Sequence, residues 1–189
     1  MTAAQRGSRR VAVHVSGSVA AYKACEVITA LRKQGCEVRV AMTAGAGRFI
    51  TALTLRSLSG HPVLDDTEAT GAADHGMGHI DLGGWADVHV AVAASASLLA
   101  RLAHGLADDA VTTTLLATRA PLLVAPAMET AMWEHPATHA NVDVLRSRGV
   151  EFIGPVTGRL ASGAEGDGRM ADVAAVVEAV VARLRAGGS

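Results

Sequence analysis

Short apolar runs alternate with segments of helical periodicity along most of the chain. Val11–Val15 reads as a buried strand, and Val38–Met42, Val88–Ala93, Leu122–Ala125 and the short pair Phe152-Ile153 repeat that signature. Between the first two strands, Ala24, Val27, Ile28 and Leu31 fall on one face of a helix that Gly35 closes. Further helices are predicted around Ala52–Leu58, ending at Gly60, around Leu98–His104, ending at Gly105, from near Asp108, and over His135–Arg148. A last helix from about Asp172 to Arg185 places Val173, Val176, Val177, Val180 and Leu184 on one face. Two segments lack such patterning. His61–Gly78 is long and polar, which predicts an exposed or functional loop, and the glycine-rich stretch Gly154–Met170 predicts a flexible surface flap. The strand–helix rhythm predicts a Rossmann-like α/β fold, a doubly wound, mostly parallel sheet with helices on both faces. A single domain is expected over residues 1–189, with flexible tails at 1–9 and 186–189.

Composition narrows the picture. Half of the 189 residues are hydrophobic but only 3% are aromatic, so the core must be built from Ala, Val, Leu and Ile, with 20 glycines allowing close approach. A formal net charge of −1 offers no basic face for phosphate backbones and disfavours nucleic acid as a partner. Cys25 and Cys36 imply no disulfide framework, and their spacing fits no zinc motif. Cys25 lies on the apolar stripe of the first helix and reads as packing. The apolar run after the polar, basic segment Met1–Arg10 is too short for a signal-peptide core or a membrane span. The expectation is a cytoplasmic protein without a membrane partner.

Ligands on such sheets bind beyond the carboxyl ends of the strands, so the chemistry is sought in the loops there. Ser16-Gly17-Ser18 occupies the first strand-to-helix turn. It is either an ordinary tight turn or a phosphate site, where a glycine admits close approach to the free N–H groups of a helix N-terminus. It is not GxGxxG, which disfavours a nicotinamide dinucleotide. Ala94, Ser95, Ala96 and Ser97 follow the third predicted strand in the same way, as a capped helix start or as a surface for a flat ring or phosphate. Thr43 can cap the segment after the second strand. His79, at the end of the polar loop and near Trp85, is the histidine best placed to act as a base. Pro126-Ala127-Met128-Glu129, with Met132-Trp133 soon after, is either core or a cover for an aromatic cofactor.

Together, six segments resemble the homo-oligomeric flavin-containing cysteine decarboxylases. They are SGSVAAYK at Ser16–Lys23, AMTAGAGRFI at Ala41–Ile50, GHIDLGGWAD at Gly78–Asp87, LARLAHGLADD at Leu99–Asp109, PAMETAMWEHPAT at Pro126–Thr138 and GRLASGAEGDGRM at Gly158–Met170. That family includes phosphopantothenoylcysteine decarboxylase and the enzymes that process lantibiotic and thioamide peptides. The resemblance implies FMN held between subunits of a homotrimer or a trimer-based dodecamer. It assigns Ser16, Gly17 and Ser18 to the phosphate end, with Thr43 and Phe49 close by, and sets Ala94, Ser95, Ala96 and Ser97 on the flavin. Met128 would come from an adjacent subunit. His79 matches the catalytic histidine, and Gly158–Met170 matches a clamp over the substrate.

The chain departs from the family pattern at places that bear on its activity. Ala93 and Ser97 stand where the family has Pro and Asn. Glu129 replaces the Asn that holds the substrate carboxylate, so that group must be held beside a Glu kept neutral by burial, or elsewhere, as by Arg169. Ser162 replaces the Cys that, in the coenzyme A branch, returns reducing equivalents to the oxidised intermediate. A serine hydroxyl has no thiol–disulfide couple. The resemblance therefore implies oxidative decarboxylation of the C-terminal cysteine of a precursor peptide, giving an enethiol, with Glu129, Met132, Trp133, Ser162 and Arg169 at the substrate. The alternatives are phosphopantothenoylcysteine decarboxylase itself and a flavin-binding relative without decarboxylase activity.

Overall fold

The computed structural model describes residues 9–66 and 78–187. Six strands form one parallel sheet: β1 (Arg9–Val15), β2 (Cys36–Met42), β3 (Val63–Leu64), β4 (Val88–Ala94), β5 (Leu122–Pro126) and β6 (Glu151–Phe152). Their spatial order is β3-β2-β1-β4-β5-β6, and every neighbouring pair is parallel. The order reverses between β1 and β4, which opens a crevice at the ends of those two strands.

Alternation along the strands assigns the two faces. Val11, Val13, Val15, Val38, Val40, Val90 and Val92 pack with helices α1 (Lys23–Lys33), α2 (Ala52–Ser59) and α8 (Val173–Ala186). Ala12, Ala41, Ala91 and Val124 pack with α3 (Gly78–Trp85), α4 (Ala96–His104), α5 (Ala110–Ala117) and α7 (Pro136–Ser147). Small side chains on this second face let its four helices lie close. A Cβ on Gly83 of α3 would sit 3.2 Å from the Thr114 carbonyl oxygen of α5. Among the described residues no helix is long and apolar enough to cross a membrane.

Several expectations change. His79 lies in the first turn of a helix, not at the end of a loop. Part of the expected loop at 61–78 is the strand β3, while 67–77 lies outside the described residues. The expected flap is ordered as an antiparallel hairpin, β7 (Val156–Arg159) with β8 (Glu165–Arg169). The segments taken as tails shorten, since Arg9 is already in β1 and Ala186 still in α8. A four-residue helix α6 (Thr130–Trp133) follows β5.

Candidate active site

The turns after β1, β2, β4 and β5 converge at the crevice. The Ser16 hydroxyl, 1% exposed, donates to the Ala93 carbonyl at 2.9 Å and accepts from the Ser95 N–H at 3.0 Å. The Ser18 hydroxyl donates to the Ala127 carbonyl at 3.1 Å and caps the short helical turn Val19–Tyr22 that leads into α1. These two serines thus tie the β1 turn to the β4 and β5 turns across the reversal. Ala93 takes φ 59°, where β4 shifts register against β5, and its carbonyl points at Ser16. A Pro ring, fixed near φ −65°, is incompatible with that backbone.

Both hydroxyls are consumed by the scaffold, so an anion here would meet backbone. Gly17 lies against Gly45, and a Cβ on Gly17 would stand 3.0 Å from the Gly45 carbonyl carbon. Thr43 caps the following turn through the Ala46 N–H at 3.2 Å. Among the described residues the N–H groups of Gly17 and Gly45 have no protein acceptor. This glycine cradle fits a phosphate-bearing group.

Two cavities meet at Gly17 and Ser95. The smaller, about 300 Å³, is lined by Ser16, Thr43, Ser97, Asp66 and the Arg101–Asp109 ion pair among others. Its acids are largely engaged: Arg101 also faces Asp108 at 3.4 Å, and Asp66 accepts from the Ala110 N–H at 2.8 Å. The larger, about 700 Å³, has an apolar lining that includes Phe49, Ala127, Met128 and Met132. Lys23, Arg159 and Arg169 stand on its walls with Glu129.

The sequence-predicted residues therefore divide. Gly17, Ser18, Phe49, Ser95, Ala96, Met128, Glu129, Met132 and Arg169 line the larger cavity, and Ser16, Thr43 and Ser97 line the smaller. Ala94 is wholly buried, and its carbonyl accepts from the Ala127 N–H. Trp133 lies outside both linings, its ring tilted against His139 with centroids 5.7 Å apart. Ser162 sits in the hairpin turn and bonds Glu129. His79 is half-buried and lines neither cavity of its own chain. Sequence reading missed Lys23 and Arg159, which belong to a helix start and a strand without hydrophobic pattern. Arg169 stays in place through Asp172, at 2.6 Å, and its stem lies over Gly158, where a Cβ would come within 2.9 Å of it.

A doubly wound sheet with an anion cradle at its reversal and an apolar cavity alongside defines a binder of a phosphate-bearing cofactor with an apolar body. The Flavoprotein family model matches residues 2–185, and the chain belongs to that family. It is 47% identical over 176 residues to the coenzyme A biosynthesis bifunctional protein CoaBC of Escherichia coli (strain K12), covering 93% of this chain and 43% of that protein. The chain thus spans about two-fifths of the length of this relative. Among solved structures, a mutant PPC decarboxylase complexed with pantothenoylaminoethenethiol superposes with TM-score 0.83 at 33% identity, covering 93% of this chain and 97% of that one. The FMN-dependent cysteine decarboxylase SpaF superposes with TM-score 0.81 at 34% identity, covering 95% and 97%. The fold is that of the flavoprotein decarboxylases.

Proposed function

We infer that the chain is an FMN-dependent decarboxylase of a cysteine carboxylate, with phosphopantothenoylcysteine as its substrate. The observation that carries this reading is the larger cavity, where Lys23, Arg159 and Arg169 surround an apolar floor beside the glycine cradle. Phosphopantothenoylcysteine is anionic at both ends, a phosphate and a carboxylate, with a flexible, uncharged middle. Several cations around an apolar lining suit such a molecule better than a peptide terminus carrying one carboxylate. The likeness to the coenzyme A biosynthesis protein supports the same substrate.

FMN, when bound, supplies a two-electron acceptor for oxidising the cysteine side chain, which creates an electron sink next to the departing carboxylate. The Gly17 and Gly45 backbone would receive its phosphate, with Phe49 and Met128 against the apolar body; Met128 lines the same cavity as Gly17 of its own chain, where the resemblance expects it from an adjacent subunit. Ser16 and Ser18 hold the cradle in shape. The cationic walls orient the substrate carboxylate in a largely apolar space. His79 handles protons from a neighbouring copy, because it lines neither cavity of its own chain; a homotrimer or trimer-based dodecamer supplies that neighbour.

Ser162 favours a second reading, oxidative decarboxylation of a precursor peptide's C-terminal cysteine, since no thiol stands at that place to return electrons. Mass spectrometry separates the two. Purified protein with FMN and oxygen should convert phosphopantothenoylcysteine to a product lighter by CO2 and two hydrogens, and leave Cys-terminated peptides untouched. His79→Asn should lower that turnover by roughly 10²-fold while FMN remains bound. Conversion of peptides alone would establish the second reading, and no conversion of either would leave a flavin-binding protein without decarboxylase activity.

A further inference from the structure

The two positions at which the chain replaces the family's Asn and Cys touch each other. Glu129 precedes α6 and makes no capping bond to it. Its carboxylate turns instead to the β7–β8 hairpin, accepting from the Ser162 hydroxyl at 2.9 Å and from the Ser162 N–H at 3.4 Å. Ser162 in turn accepts from the Ala164 N–H at 3.4 Å, which fixes the hydroxyl within the turn.

The hairpin is anchored differently at its two ends. At its root, the Gly168 carbonyl accepts from the Met128 N–H at 3.0 Å, and Gly166 rests on Thr130. At its tip, the backbone bonds of the turn are internal, from the Leu160 N–H to the Ala164 carbonyl and from the Gly163 N–H to the Leu160 carbonyl, and among the described residues Ser162 alone reaches out, to Glu129. Arg159, Leu160 and Ala161, immediately before Ser162, form a wall of the larger cavity. Whatever holds Ser162 therefore sets where that wall stands.

We propose that Glu129 and Ser162 form a latch that holds the hairpin tip closed over the larger cavity, which makes Glu129 a positioning residue and not the ligand of the substrate carboxylate. Asn at 129 is one methylene shorter than Glu, and Cys at 162 is a weak donor. The replacements thus act as a pair: a longer acceptor meets a stronger donor. The kinetic consequence rests on the decarboxylase reading, but the latch itself does not.

A double-mutant cycle tests it, with Glu129→Ala, Ser162→Ala and the double variant in the full FMN-loaded protein. Amide hydrogen exchange over residues 160–164 should quicken about five- to tenfold in either single variant, the scale of one ordinary hydrogen bond, since this contact is exposed to water. The double variant should be no faster than a single one, because one interaction is lost in each case. Ser162→Thr keeps the hydroxyl and should restore slow exchange. KM should rise by less than exchange quickens, and kcat should change less still, because KM follows the fall in the closed, binding-competent fraction while exchange follows the opening constant itself. Multiplicative effects in the double variant, or unchanged exchange in either single variant, would overturn the latch. Coupled exchange without any decarboxylation would leave the latch standing and defeat the substrate reading; turnover without coupling would do the reverse.

Discussion

At the scale of single residues, the structure separates side chains that shape the site from those that face a ligand. Sequence reading places Ser16 at the phosphate; the structure sets it in the lining of the smaller cavity, with its hydroxyl spent on Ala93 and Ser95. The glycine of that turn was legible because close approach is a local property. The partners of Ser16 were not, because they lie 77 and 79 positions away in sequence. Ser16→Ala should therefore act through stability first. It removes a donor to a buried carbonyl and an acceptor for an N–H, at a cost of about 2 kcal/mol. Denaturant titration of the FMN-free protein should show a lowered midpoint with an unchanged slope. If that midpoint stays put while FMN affinity drops, Ser16 is a direct ligand after all.

At the scale of elements, periodic segments were legible and segments held by backbone contact were not. Helix α1 buries the face that its spacing marks, and α8 buries Val176, Val177 and Val180 of its marked face, with Val173 and Leu184 partly buried. Helix α3 escaped because Gly83 and Gly84 lower its helical propensity, yet Gly83 is what lets α3 approach α5. The β7–β8 hairpin escaped because its strands are mostly exposed and lack apolar alternation. It is seated by glycine instead. Gly168 has φ 131°, and a Cβ there would run into the Met128 carbonyl oxygen. Gly168→Ala should unseat β8, since strain of about 1–3 kcal/mol adds to the clash. The hairpin buries few side chains, so the damage should stay local. Proteolysis between residues 156 and 169 should accelerate sharply while the thermal midpoint moves little. Equal losses in both would mean that the hairpin belongs to the cooperative core.

At the scale of the whole molecule, the second face of the sheet carries a polar pair, His14 and His89, that no motif or spacing marks in the chain. His14 and His89 are both fully buried, 2.8 Å apart between Nε2 and Nδ1, with stacked rings, and His89 Nε2 lies 2.9 Å from the Thr118 hydroxyl. His14 Nδ1 has no partner among the described residues. Burial, with His89 alongside, holds His14 well below the ordinary 6.5, and burial pushes His89 down to about 4. Both rings are therefore neutral in the fold at neutral pH, and unfolding lets them take up protons once the pH falls below about 6.5. The unfolded chain then binds more protons than the folded one, so stability decreases as pH is lowered, from about 6.5 towards 4 for His89 and further for His14. Each histidine contributes a slope of at most about 1.4 kcal/mol per pH unit, and His89 alone a total of about 3 kcal/mol across its window. Asp87, held below its ordinary 3.8 by its hydrogen bonds to Arg10, titrates beneath that window and adds little within it. Denaturant midpoints should be flat near neutrality and decline steeply between pH 6.5 and 4. The His14→Leu/His89→Leu protein removes both proton acceptors, while Thr118 keeps its bond from the Ala120 N–H at 3.0 Å. Its midpoint should fall less over that interval than that of the unaltered chain, whatever its stability at pH 8. A parallel decline in the two proteins would place the acid sensitivity elsewhere, and the buried pair would then have to be charged, or open to solvent, in the folded state.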